Sequence, residues 1–70
     1  DPRALPGYCL VRAETRYGRH RFFGRQCLER DFAGYHRLPN DCRVRLITRD
    51  GARSGFDPGC LRREGYRVRR

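Results

Sequence analysis

The sequence predicts a small all-β domain: two tandem, pseudo-symmetric β-hairpin repeats, each stapled by a disulfide, packed as a small sheet or sandwich. Three observations carry this. The chain repeats itself internally, its four cysteines are spaced by that repeat, and apolar and arginine-bearing positions alternate on both sides of two glycine turns.

A shift of 33 aligns residues 9–30 with 42–63 without a gap, and ten of those 22 positions are identical. They are Cys9/Cys42, Val11/Val44, Arg12/Arg45, Thr15/Thr48, Arg16/Arg49, Gly18/Gly51, Phe23/Phe56, Cys27/Cys60, Leu28/Leu61 and Arg30/Arg63. An acidic residue and then a Gly-Tyr pair follow in each copy (Asp31 with Gly34-Tyr35, Glu64 with Gly65-Tyr66). Self-similarity at a fixed period means a repeated supersecondary unit. The expected organisation is a single domain over 1–70, with repeat one at about 7–37, a linker at 38–41 and repeat two at about 42–69.

Each element follows from local chemistry. Asp50-Gly51 is a tight hairpin signal, and Gly18 stands at the matching place after Arg16-Tyr17. Val11, Ala13 and Thr15 share a face with Cys9, as Val44, Leu46 and Thr48 do with Cys42, while Arg12 and Arg45 point the other way. Strands are expected near 8–16, 20–27, 42–49 and 53–60, and a fifth near 65–69 with a counterpart at 34–37. Short helical turns are expected after Cys27 and Cys60. Centring the loops on Gly18 and Gly51 sets Ala13 opposite Phe23 and Leu46 opposite Phe56, leaving Phe22 on the outer face with His20. The expected core is Val11, Phe23, Leu28, Val44, Leu46, Phe56 and Leu61.

A 70-residue chain buries a thin core and needs a staple. The repeat favours Cys9 with Cys27 and Cys42 with Cys60, although four cysteines allow three connectivities and crossed pairs stay open. Zinc is disfavoured because no C-x(2)-C knuckle is present, and the same absence argues against redox chemistry. No metal or other cofactor is expected. The chain opens on Asp1-Pro2-Arg3 without methionine, which predicts a processed N-terminus, and no apolar run exceeds four residues, so no membrane-spanning helix is expected. Paired cysteines in such a chain predict a periplasmic or secreted location.

The formal charge is +9, and all 17 basic residues are arginine. Exclusive use of arginine is what a GC-rich coding sequence would give regardless of function, so it does not by itself point to a ligand; the net positive field does, and it attracts anions. Arg12, Arg16, Arg45 and Arg49 occupy equivalent positions off the core face, and Arg19 and Arg21 lie near the first hairpin's tip. These six are the expected anion-binding residues. Phe22 and Ile47 are apolar residues at expected outward positions, candidates for a second apolar seam or a partner-docking contact. His20 and His36 sit among arginines and read as solvated, Ser54 is the sole serine, and the carboxylates are scattered, so no catalytic set is expected.

The function expected is a small exported, non-enzymatic module binding an anionic envelope component, an anionic surface or an acidic protein. The alternative is an accessory or structural subunit of a larger envelope protein complex. An antimicrobial hairpin fits the duplicated scaffold less well. Nucleic acid matches the charge but not the compartment. The sequence sets no oligomeric state.

Overall fold

The computed structural model describes residues 2–69. The order is β1 (Ala4–Pro6), β2 (Leu10–Thr15), β3 (Gly18–Gly24), α1 (Arg25–Asp31), β4 (Arg43–Thr48), β5 (Gly51–Phe56), α2 (Pro58–Arg63) and β6 (Arg67–Arg69), with single 3₁₀ turns at Gly7–Cys9, Tyr35–Arg37 and Asn40–Cys42. It is a small all-β fold held by two disulfides, Cys9–Cys27 and Cys42–Cys60, with Cα atoms 5.5 and 5.4 Å apart.

Each repeat forms an antiparallel hairpin, β2–β3 and β4–β5, and the two close into a four-stranded barrel in the order β2-β3-β5-β4. The seams between hairpins are short. One pairs Thr15 with Thr48; the other pairs Phe23 with Phe56 and Gly24 with Gly55. Thr15/Thr48 and Phe23/Phe56 are each residues 33 apart, that is, equivalent positions of the two copies. A residue that pairs with its own equivalent lies on the symmetry axis, so a pseudo-two-fold axis passes through both seams. One end of that axis holds the core and the other the hairpin tips, in a molecule of 35 × 23 × 22 Å.

The core is also paired by the repeat. Leu5/Leu38, Cys9/Cys42, Phe23/Phe56 and Leu28/Leu61 are all buried, with Phe32 completing the cluster. Leu5 and Leu38 belong to a longer repeat than the cysteines mark: Leu5-Pro6 recurs as Leu38-Pro39. The 3₁₀ turns that follow, Gly7–Cys9 and Asn40–Cys42, are equivalents, each entered from an extended proline. The linker's Asn40 and Asp41 therefore enter the second copy by the same turn, although Leu38-Pro39, unlike Leu5-Pro6, forms no strand. Val11, Val44 and Leu46, expected in the core, are only half-buried.

Several expectations change. The strands stop at Gly24 and Phe56, and the helices begin before the cysteines, not after them. In the second copy the reason is local. The Asp57 carboxylate accepts the Cys60 N–H at 2.8 Å, and Pro58 stands in the first helical turn, so the chain is capped into a helix. The hairpin register also differs. Thr15 pairs with Gly18 and Thr48 with Gly51, leaving two-residue loops, Arg16-Tyr17 and Arg49-Asp50, before the glycine. Leu10 therefore faces Phe23, Val11 faces Phe22 and Ala13 faces His20. The shift is odd, so the side chains of β3 exchange faces relative to those of β2; Phe23 is buried as expected, now opposite Leu10, and Phe22 is buried as well, opposite Val11. Finally, residues 35–37 form a 3₁₀ turn where a strand was expected. Its counterpart β6 runs parallel to β1. Residues 35–37 have no such option, because the segment they would join follows directly in the chain, and parallel pairing needs a long crossover.

Candidate functional site

The tip end is built from two copies of one turn. Gly18 and Gly51 have φ of 105° and 113°, the left-handed region that glycine alone enters without strain. Thr15 Oγ1 donates to the Gly18 carbonyl at 3.0 Å and accepts the Tyr17 N–H at 3.1 Å. Thr48 repeats both bonds, at 2.8 Å to the Gly51 carbonyl and 3.2 Å from the Asp50 N–H. Each turn is thus locked by its threonine and glycine, and its two loop residues, one of them Arg16 or Arg49, project outward.

Of the six arginines expected to bind anions, all are exposed. Arg12 and Arg21 face each other across the first hairpin. Like charges opposite one another destabilise a sheet, and no carboxylate among the described residues lies within ion-pair distance of either. Arg19 pairs with Glu14 at 3.7 Å, and Arg49 reaches from the second hairpin to the same Glu14 at 3.5 Å. Arg45 stands opposite Ser54, and Arg16 occupies the first hairpin's loop; neither has an ion pair among the described residues.

Phe22 is not available to a partner. The register places it on the face shared with Val11, between the hairpins, where it is 1% exposed. It fills space that its equivalent, Gly55, leaves open: a Cβ at Gly55 would sit 2.5 Å from the Phe22 ring and would also meet the Phe23 carbonyl oxygen. Ile47 is 68% exposed on the outer face. The two therefore form no common seam. Tyr17, in the first hairpin's loop, is 82% exposed at the tip.

Two grooves flank the Thr15–Thr48 seam. One, of about 800 Å³, lies between the first hairpin's loop and β4; the other, of about 200 Å³, lies between the second hairpin's loop and β2. Seven lining positions of the small groove recur, 33 residues away, in the large one, so the grooves are related by the pseudo-two-fold axis. Their chemistry has diverged. The large groove carries Tyr17, His20, Leu46 and Ile47 where the small one carries Asp50, Arg53, Ala13 and Glu14. In the small groove Arg49 meets Glu14. In the large groove the equivalent arginine, Arg16, has Ile47 in the place of that carboxylate.

Other candidates are engaged elsewhere. The Asp31 carboxyl is held below its usual range, first by hydrogen bonds from the Arg30 guanidinium at 3.1–3.2 Å. Asp31 also stands close to Cys9 and Cys27, but both sulfurs are consumed by the disulfide, and it is the thiolate that ligates a metal. His36 is exposed and packs edge-on against Tyr35, with centroids 5.3 Å apart. Ser54 stands across from Arg45 and not from a histidine. No family model, curated protein or solved structure matches the chain.

Proposed function

We propose that this chain is a non-enzymatic module that binds an anionic partner through its hairpin-tip end. The observation that supports this most directly is the Arg12–Arg21 cross-strand pair, together with Arg16 and Arg45, all exposed and without internal ion pairs among the described residues. No ion pair or side-chain hydrogen bond within the described residues uses these charges, and opposing guanidiniums cost stability. Adjacent arginine forks suit carboxylate or phosphate oxygens. The two disulfides fit an oxidising compartment, and no helix among the described residues is long and apolar enough to cross a membrane. In this reading the module works in the periplasm or outside the cell, on an envelope component or an acidic protein. A second reading, an accessory subunit of a larger envelope complex, is supported by the exposure of Tyr17 and Ile47 at the same end.

The test is binding to polyglutamate and to phosphatidylglycerol vesicles at stepped salt. Replacing Arg12, Arg16, Arg45 and Arg49 with Glu takes the net charge from +9 to +1. Native binding weakens as salt rises, since exposed charges are screened over about 8–10 Å at physiological ionic strength. The fourfold variant, with an unchanged far-UV spectrum and both disulfides intact, loses binding to both probes. Unchanged affinity in that variant refutes the proposal.

A further inference from the structure

We infer that the large groove is a docking site for an extended acidic polypeptide that carries an apolar side chain beside a carboxylate. This rests on the anion-binding reading above and assigns its partner. The molecule contains its own template for the contact. In the small groove a loop arginine, Arg49, meets a carboxylate on the facing strand, Glu14, at 3.5 Å. Symmetry brings Arg16 to the same relation with Ile47, and an isoleucine cannot answer the charge. The partner supplies the missing carboxylate, while its apolar group covers Ile47 and Tyr17, which are 68% and 82% exposed.

Charge complementarity sets the sign of the partner. Glu14, at the meeting of the two grooves, is already held by Arg19 and Arg49, which leaves Arg16 and Arg45 for an incoming anion. Backbone chemistry sets its class. One edge of β4 is paired with β5, but its other edge, along the groove, is paired only at Thr48. A polypeptide lying there offers its own alternating N–H and C=O groups to that edge, as in strand addition; a lipid has none to offer. The concave shape favours a chain over a flat bilayer in the same way.

The experiment uses the full chain, two short peptides of equal charge and a vesicle. One peptide alternates aspartate with leucine, the other replaces leucine with serine, and the vesicle contains phosphatidylglycerol. The main variant combines Tyr17→Asp with Ile47→Glu, giving the large groove the residues of the small one. Both positions are exposed and both residues already occur in the other copy, so the fold tolerates them. Arg62→Glu, at an exposed position of α2, makes the same two-unit change in charge away from the tips. The native chain should prefer the leucine peptide, and the double variant should lose about tenfold or more of that affinity, as expected for uncovering two apolar side chains. Arg62→Glu should keep the preference. If the two variants behave alike, or the two peptides bind equally, the groove assignment is overturned while anion binding stands. A larger loss on vesicles than on the leucine peptide overturns it in favour of a membrane surface. If the fourfold arginine variant still binds every probe, the anion-binding reading itself fails.

Discussion

Removing one disulfide should cost close to half the stability of this protein. Each bridge joins residues 18 apart, so each closes a loop of the same size. The chain-entropy account then assigns each bridge about 3 kcal/mol, through the freedom it denies the unfolded chain. A chain of this length is expected to have only about 4–10 kcal/mol in total. Replacing Cys9 and Cys27 together with Ala should therefore lower the unfolding free energy by about 3–4 kcal/mol, the excess over loop closure coming from the packing lost at buried Cys9. The pair Cys42 and Cys60 should cost the same within about 1 kcal/mol, because loop length and burial are matched. Losing both should leave a largely unfolded chain at 37 °C. Urea unfolding followed by far-UV circular dichroism and tyrosine fluorescence reads this out, since the chain has four tyrosines and no tryptophan. A loss below about 1 kcal/mol for either pair would refute the argument, because a loop of this size cannot contribute so little by entropy.

Two further outcomes test the seam and the second helix. Gly55→Ala should destabilise by about 1–3 kcal/mol, because its Cβ meets the Phe22 ring and the Phe23 carbonyl. Gly24→Ala, whose nearest neighbour is the Val11 side chain at 3.5 Å, should be near neutral or slightly stabilising, and equal effects at the two sites would remove the proposed close approach. Asp57→Ala removes the cap on the Cys60 N–H and should cost about 1 kcal/mol, a fall in Tm of roughly 4–8 °C in a domain of this size; an unchanged Tm would show that Pro58 alone starts α2.

The repeat made the disulfides, the glycine turns and the paired core residues legible in the sequence, because these are positions where both copies meet the same physical demand. What it hid was register. Gly18 reads as the centre of a loop, yet its left-handed backbone falls after a two-residue loop, at the residue that pairs with Thr15. A three-residue loop and this arrangement share the same glycine signal. The small offset sets Phe22 opposite Val11, and that is why Phe22 lies inside along with Phe23. Two further signals stand in the sequence outside the aligned 22 residues or outside their identities: the second Leu-Pro at Leu38-Pro39, and Asp57-Pro58, a cap followed by a first-turn proline. In the first copy Gly24-Arg25 offers no side-chain cap, so the start of α1 has no comparable signature.

The pattern of what the two copies share and what they do not separates fold from function at the tips. Thr15/Thr48 and Gly18/Gly51 are identical because each turn needs its side-chain bond and its left-handed residue. Phe23/Phe56 are identical because they sit on the axis in the core. Arg12/Arg45 and Arg16/Arg49 are also identical, yet the side-chain bonds of the turns are made by Thr15 and Thr48 and not by them. Beside them the tips diverge at Tyr17/Asp50, His20/Arg53 and Ile47/Glu14, positions open to solvent where packing sets no limit. A duplicated scaffold begins with two equal grooves. In one of them the loop arginine, Arg49, is answered within the chain by Glu14. The other loop arginine, set beside an isoleucine and a tyrosine, gains a reason to stay unpaired only if a partner completes it. On the proposed reading the two halves divide the work: in one groove the loop arginine is paired within the chain, and in the other a partner pairs it.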